Sequence, residues 1–157
     1  LAYVGDGNNN MPHSLMEGAA IMGMNMTIAS PKGYEPLEVI LKKAKIKAEQ
    51  TGATIQFTYD PVEALTNADI VVTDVWTSMG METEKTERSR HFFPYQVNAK
   101  LTHHAKEDFI FLHCLPAHRG EEVTAEVIDG SHSVIFDEAE NRLHAQKAVL
   151  KKLMGEN

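Results

Sequence analysis

The residues best suited to chemistry stand in the sequence His-Cys-Leu-Pro at positions 113–116, after the apolar run Phe-Ile-Phe-Leu at 109–112. Here an imidazole and a thiol follow a predicted buried strand. Two further segments have the same form: Asp-Val-Trp-Thr-Ser-Met-Gly at 74–80 follows Ile-Val-Val-Thr, and Gly-Asp-Gly-Asn-Asn at 5–9 follows Leu-Ala-Tyr-Val. In an open α/β sheet, ligands bind at the carboxyl ends of the strands, so the three segments together predict one pocket.

A parallel sheet is needed to bring these segments together, and the pattern of the chain predicts one. We expect strands at 1–4, 24–29, 53–58, 70–73 and 109–112, with a last strand-like piece at 134–136. We expect helices at 11–23, 36–50, 61–66, 121–128 and 139–154, part of 95–101 in a further helix, and a polar loop at 79–89. Strands joined by helical crossovers predict a mostly parallel, Rossmann-like sheet with helices on both faces, as a single three-layer α/β domain over residues 1–157.

The composition excludes several classes of protein. The net charge of −7 argues against a nucleic-acid surface, because phosphate binding needs clustered Lys and Arg. No apolar run approaches the roughly 20 residues that span a membrane. A single cysteine excludes an internal disulfide and fits a reducing compartment, so we predict a cytoplasmic protein. The chain opens on a strand without an initiating Met, which predicts a fragment of a longer protein.

The turn at residues 5–9 invites comparison with a dinucleotide fingerprint, but the details disagree. The third glycine of that fingerprint would stand at position 10, which is Asn10, and the second strand ends in Ala-Ser-Pro-Lys without the ribose-binding acid. Two interpretations stay open. The segment is a simple turn in which Gly and Asn tolerate positive φ, or the Asn9 amide binds a carboxylate beside the N-terminus of the following helix.

The segment at 74–80 offers groups for an ammonium ion. Asp74 ends a strand, Ser78 adds a hydroxyl, and Gly80 lets the loop turn so that backbone N–H groups point inward. The alternative is that Asp74 only caps the loop.

The remaining candidates, Cys114, His113 and Arg142, each allow two interpretations or exclude one. Cys114 is either a small buried hydrophobe or a thiol of the site. Because neighbours on a strand face opposite sides, His113 and Cys114 do not form a nucleophilic dyad, and the histidines lack the spacing of zinc ligands. Arg142 opens a helix, where it either makes a surface ion pair or reaches for an anion.

These segments, in this order, resemble the second domain of the ornithine carbamoyltransferases. The resemblance covers essentially the whole chain and rests on Gly-Asp-Gly-Asn-Asn at 5–9, Pro-Lys-Gly-Tyr at 31–34, Ser-Met-Gly at 78–80, Tyr-Gln-Val at 95–97, His-Cys-Leu-Pro at 113–116 and Ala-Glu-Asn-Arg at 139–142. His-Cys-Leu-Pro together with Ser-Met-Gly is its most specific part. The Ser-Met-Gly loop separates ornithine enzymes from aspartate and putrescine relatives.

The resemblance implies transfer of a carbamoyl group from carbamoyl phosphate to the δ-amine of L-ornithine, giving L-citrulline and phosphate in arginine metabolism. In that family, Asn9, Asp74, Ser78 and the backbone of Met79 would hold the α-amino and α-carboxylate groups of ornithine.

At the reacting end, the resemblance implies that Cys114 and Leu115 line the pocket, that Arg142 reaches carbamoyl phosphate and that His113 lies nearby. We therefore take Asp74, Cys114 and His113 as candidate catalytic residues. No metal and no organic cofactor is implied.

The family's main phosphate-binding motif, Ser-x-Arg-Thr, belongs to the first domain and does not occur in this chain. We therefore expect the isolated domain to be inactive and the full-length protein to be a homotrimer or a multiple of trimers. Two alternatives remain: a carbamoyltransferase for another amine, such as putrescine, and a non-catalytic amino-acid-binding module.

Overall fold

The computed structural model describes residues 1–77 and 82–155, and a five-stranded sheet runs through the part it describes. The strands are β1 (Ala2–Val4), β2 (Met26–Ala29), β3 (Ile55–Thr58), β4 (Ile70–Thr73) and β5 (Ile110–His113). Their order across the sheet is β3-β2-β1-β4-β5, and every neighbouring pair is parallel. The predicted Rossmann-like α/β sheet is confirmed.

Helices cover both faces of this sheet. They are α1 (Asn10–Met22), α2 (Glu38–Thr51), α3 (Pro61–Leu65), α4 (Lys85–Phe92), α5 (Ala99–Thr102), α6 (Ala125–Ile128) and α7 (Ile135–Met154), with short 3-10 helices at Glu82–Glu84 and Phe93–Tyr95. The start of α3 shows how the sequence sets a boundary. Pro61 occupies its first position, and the Asp60 side chain accepts a hydrogen bond of 2.8 Å from the N–H of Val62.

The core has two halves, one on each face of the sheet, because successive strand residues point to opposite sides. In β1, Tyr3 packs on the face that α1 and α2 cover, whereas Ala2 and Val4 face the other helices. In β4, Val72 and Val71 divide in the same way. Burial on both faces explains why these strands consist of continuous apolar runs.

The predicted polar loop at 79–89 is wrong in its second half, where a 3-10 helix leads into α4. The segment contains almost no apolar residues, so its hydrophobic periodicity is weak. Its buried side is formed by Arg88 and Phe92, four residues apart and hence on one face of the helix. Residues 78–81 lie outside the described part of the chain.

Two predictions near the C-terminus also need correction. The expected strand at 134–136 is wrong: Ser133 forms a single bridge to Phe111, and α7 then begins at Ile135. The helix expected at 121–128 is shorter, because α6 starts only at Ala125.

The long helix α7 is buried against the rest of the described domain at its beginning. Ile135 is buried, whereas every residue from 139 to 155 is exposed. Exposed apolar side chains recur along it, namely Leu143, Val149, Leu150 and Leu153. Among the residues described, no helix is both long and apolar enough to cross a bilayer.

Packing under α1 gives a direct test of the core. Met16 is fully buried beneath the sheet, whereas Met22 on the same helix is 74% exposed. We expect Met16→Ala to lower the free energy of unfolding by about 2–5 kcal/mol, because it leaves a cavity between α1 and the sheet. The matched variant Met22→Ala should change it by less than about 0.5 kcal/mol. Urea unfolding measures both, and equal effects would contradict the packing described here.

Candidate ligand-binding site at the carboxyl edge of the sheet

The candidate site lies where the strand order reverses. From β1 the chain continues to β2 and β3 on one side of the sheet, and it later returns to β4 and β5 on the other. The connections that follow β1 and β4 therefore run in opposite directions and leave a crevice between them. Thr73 Oγ1 donates a hydrogen bond of 2.6 Å to the carbonyl of Val4, which holds the two strand ends together. Asp6 and Asp74 follow these ends.

Both glycines of the turn at residues 5–9 are constrained, Gly5 by its backbone conformation and Gly7 by close packing. Gly5 has a φ of 146°, which glycine adopts without strain. A Cβ at Gly7 would lie 2.6 Å from Ser30 Oγ and 2.7 Å from the carbonyl oxygen of Tyr34. Asn9 caps α1 by accepting a hydrogen bond of 3.3 Å from the N–H two residues later. Gly7 thus allows the close contact with the loop after β2, and Asn9 lies at a helix N-terminus.

The structure brings together three of the predicted site residues, Asp74, His113 and Cys114, and joins two of them, Asp74 and Cys114, by a hydrogen bond. Because Cys114 lies just after β5, strand alternation does not separate it from His113 as the sequence predicted. The thiol Sγ donates a hydrogen bond of 3.3 Å to Asp74 Oδ1, which also accepts one of 2.8 Å from the N–H of Val75. Asp74 is only 7% exposed, and Cys114 is half-buried. Burial and then the charge of Asp74 raise the pKa of the Cys114 thiol to about 12. The thiol is therefore a hydrogen-bond donor and a poor nucleophile.

His113, predicted as a catalytic residue, is fully buried and holds the loop that follows β5. Its Nδ1 accepts a hydrogen bond of 2.9 Å from the N–H of Leu115, so the ring proton lies on Nε2. Nε2 is 3.3 Å from Oε1 of the equally buried Glu122. Burial acts to raise the pKa of Glu122, but hydrogen bonds from His113 and from the His118 N–H hold it below its ordinary value. The imidazole thus acts on the site through Leu115.

The other predicted residues divide into three cases. Leu115 has a φ of 55° in the left-handed region, a conformation held by its hydrogen bond to His113. Arg142 is exposed on α7, and the described part of the chain shows no ion pair with it. Ser78 and Met79 lie outside the described residues, so their predicted contacts stay predictions.

Arg88 is a residue of this edge that the sequence interpretation missed. Its guanidinium is nearly fully buried, forms an ion pair with the buried Asp6 and donates a hydrogen bond of 2.5 Å to the carbonyl of Trp76. It also lies over the rings of Tyr34 and Phe92, at 4.9 and 5.2 Å from their centroids. One side chain thus joins the loops that follow β1, β2 and β4. Within a polar segment, nothing in the sequence marks Arg88 as the buried charge.

A second missed residue is Glu138 in the first turn of α7. Its Oε2 accepts a hydrogen bond of 2.9 Å from the backbone N–H of His113. Burial raises the pKa of Glu138 above its ordinary value, although this hydrogen bond acts in the opposite direction. Glu138 directly precedes the Ala-Glu-Asn-Arg segment at 139–142, and nothing in the sequence pattern indicates its contact with His113.

Two groups in the described part of the chain have the composition of metal ligands. Ligand atoms of Asp74, His113 and Cys114 lie within 4.8 Å of one another, and so do those of His118, Glu121 and Glu122. In the first group, both imidazole nitrogens have partners and the thiol keeps its proton. In the second, Glu121 pairs with Lys85 and Glu122 with His113. The ligand atoms named here therefore already have partners within the protein.

A doubly wound α/β sheet with polar side chains at its switch point defines a ligand-binding domain of the Rossmann-like class. A family model described as "Aspartate/ornithine carbamoyltransferase, Asp/Orn binding domain" matches residues 1–153. The ornithine carbamoyltransferase of Carboxydothermus hydrogenoformans is 63% identical over 155 residues, which cover 99% of this chain and 50% of the relative. That of Bacillus subtilis is 58% identical over 154 residues, or 98% of this chain and 48% of the relative.

Solved structures agree with the sequence comparison. The ornithine carbamoyltransferase of Pyrococcus furiosus superposes with a TM-score of 0.91 at 53% identity, over 96% of this chain and 48% of that one. The anabolic enzyme of Campylobacter jejuni gives a TM-score of 0.93 at 43% identity, over 99% of this chain and 51% of that one. The chain belongs to the aspartate/ornithine carbamoyltransferase family, and it spans about half the length of the curated relatives it matches.

The buried ion pair predicts a large effect on stability. We expect Arg88→Met to lower the free energy of unfolding by about 3–5 kcal/mol, because the Asp6 carboxylate would stay buried without its partner. Adding Asp6→Asn removes the unpaired charge and should restore most of the loss. Lys85→Met, which removes an exposed ion pair, should leave stability nearly unchanged. Urea unfolding measures all four proteins, and no recovery in the double variant would contradict the pairing.

The Cys114 thiol predicts slow alkylation. At pH 8, a pKa of about 12 leaves only about 0.01% of the thiol as thiolate. We expect iodoacetamide to modify the native protein at least about 100-fold more slowly than the urea-unfolded chain, which has an ordinary thiol. Asp74→Asn removes the neighbouring negative charge, lowers the pKa of Cys114 and should accelerate the reaction. Native alkylation at the unfolded rate would contradict the thiol environment described here.

Proposed function

We propose that residues 1–157 form the ornithine-binding domain of an ornithine carbamoyltransferase. The protein would transfer a carbamoyl group from carbamoyl phosphate to the δ-amine of L-ornithine, giving L-citrulline and phosphate. The observation that carries the proposal is the pairing of Asp74 with the Cys114 thiol at the switch point, in a chain of this family. All the relatives described above are ornithine carbamoyltransferases.

The amino-acid end of ornithine would be held as a zwitterion. Asp74 supplies a negative charge at the end of β4 for the α-ammonium group. Asn9, at the N-terminus of α1, supplies an amide for the α-carboxylate, and the helix dipole favours an anion there. Ser78 and the backbone of Met79 would complete this end of the site. The positions of Asn9 and Asp74 on opposite sides of the crevice support the assignment.

At the reacting end, Cys114 and Leu115 would line the δ-amine. An amine with a pKa of about 10.4 is only about 0.04% neutral at pH 7, so it must lose a proton before it attacks the carbamoyl carbon. The Asp74–Cys114 pair lies where it can bias that loss, and His113 would keep Leu115 in place. Positioning of two bound substrates and stabilisation of developing charge would supply much of the rate. The chemistry needs no metal and no organic cofactor.

Carbamoyl phosphate would bind mainly to residues outside this chain, with Arg142 reaching it from α7. The exposed apolar face of α7 supports this arrangement, since it offers a surface for that other half to cover. The full-length protein would then be a homotrimer or a multiple of trimers in the cytoplasm, and the isolated domain would be inactive. Neither nucleic acid nor membrane is a proposed partner.

The first experiment is citrulline formation by the full-length protein that contains these residues. With carbamoyl phosphate present, we expect product with ornithine and no transfer to putrescine or aspartate. In that assay Asp74→Asn should raise the KM for ornithine at least about tenfold, because a charge-assisted contact to the ammonium group is weakened.

The other outcomes separate the alternatives. Transfer to putrescine would reject the assignment of Asn9 and residues 78–80 to an α-carboxylate. Binding of ornithine without any transfer would favour a non-catalytic amino-acid-binding module. Unchanged ornithine kinetics in Asp74→Asn would remove Asp74 from the site.

A further inference from the structure

The outer edge of β5 is closed by a side chain as well as by backbone. On its inner side β5 pairs with β4. On its outer side, the N–H of Phe111 donates a hydrogen bond of 2.7 Å to the carbonyl of His132, and the N–H of Val134 donates one of 3.0 Å to the carbonyl of Phe111. The next outward N–H, that of His113, donates to Glu138 Oε2 at 2.9 Å. Glu138 thus takes the place that a strand carbonyl would have.

This carboxylate is one of few contacts that fix the direction of α7. Residues 132–134 attach the chain to β5, and Ile135 enters the core. Beyond Glu138, every described residue of the helix is exposed. Among the described residues, the hydrogen bond from His113 is the last one along α7 that ties the helix to the carboxyl end of the sheet.

Arg142 stands four residues after Glu138, one turn farther along the same face of the helix. Glu138 in turn binds the amide that immediately precedes Cys114 and Leu115. A rotation of the first turn of α7 would therefore displace Arg142 relative to these two residues. The carboxylate couples the two parts of the chain that are assigned to the reacting end.

We propose that Glu138 is a positioning residue that fixes α7 against the end of β5 and so places Arg142 to reach carbamoyl phosphate at the reacting end, beside Cys114 and Leu115. This role rests on the proposed function, and it deepens that function by assigning the placement of Arg142 to one hydrogen bond. Glu138 itself touches neither substrate.

The test is a double-mutant cycle in the full-length protein. We expect Glu138→Ala to lower kcat/KM for carbamoyl phosphate at least about tenfold, since small displacements of a binding group cost that much or more. The KM for ornithine should stay nearly constant. In the Arg142→Ala background, Glu138→Ala should have little further effect, because the group that it positions is already absent.

Two further variants separate positioning from stability. Glu138→Gln keeps an oxygen acceptor for the His113 N–H and should restore most of the activity. Glu140→Ala is the matched control, because Glu140 is an exposed glutamate two residues farther along α7. Among the described residues, its side chain forms an ion pair with His144 alone. This variant should behave like the unmodified protein. Thermal melting checks that all the variants are folded.

The proposal has defined failures. Additive losses from Glu138→Ala and Arg142→Ala would show that Glu138 does not act through Arg142. Equal effects on the kinetics of both substrates, together with a lowered melting temperature, would reduce Glu138 to a structural residue. If the unmodified protein transfers nothing to ornithine, the proposed function fails and this role fails with it. Transfer with additive losses rejects the role of Glu138 alone.

Discussion

The reversal of strand order between β1 and β4 is the constraint on which the rest of this structure depends. Two parallel strands at the centre of the sheet end side by side, but their connections leave in opposite directions. In open α/β sheets, ligands bind in the crevice that results, outside the carboxyl ends of the strands. The hydrogen bond from Thr73 Oγ1 to the carbonyl of Val4 keeps this crevice narrow. The turn at residues 5–9 and the loop after β5 that contains Cys114 therefore lie around a crevice that the topology creates.

The carboxyl edge of the sheet contains buried charged and polar side chains, and these side chains pair with one another. The Asp6 carboxylate lies against Arg88, and the Glu122 carboxylate lies against His113. Buried ion pairs add little net stability compared with apolar packing, but breaking one is expensive. Their effect here is geometric: Arg88 joins three loops, and Glu122 holds the ring that binds the Leu115 amide. These pairs therefore tie the loops at this edge to one another.

The sequence predicted the parts of this arrangement that depend on local pattern. Apolar runs predicted the sheet, and convergence of carboxyl ends predicted that Asp74 and Cys114 lie together. Alternation along a strand predicted that His113 and Cys114 face opposite sides, but β5 ends at His113, and ligand atoms of the two side chains lie within 4.8 Å of each other. The two side chains nevertheless have separate hydrogen-bond partners, Glu122 and Asp74. The partners themselves were not predictable. Arg88 and Asp6 are 82 positions apart, and the periodicity of α4 is too weak to show which of its charges is buried.

The charge beside Cys114 suits the amine substrate of the proposed function. The Cys114 thiol keeps its proton, which it donates in a hydrogen bond to the Asp74 carboxylate. The pair therefore carries a single negative charge, that of Asp74. An ammonium ion beside them would balance the charge of Asp74, which is one of the causes that raise the pKa of the thiol. A second carboxylate, such as the side chain of aspartate, would add a like charge in a buried setting and be repelled. A diamine would match this edge equally well. Under the proposed function, discrimination between ornithine and putrescine would therefore come from the α-carboxylate, at the opposite side of the crevice where α1 begins.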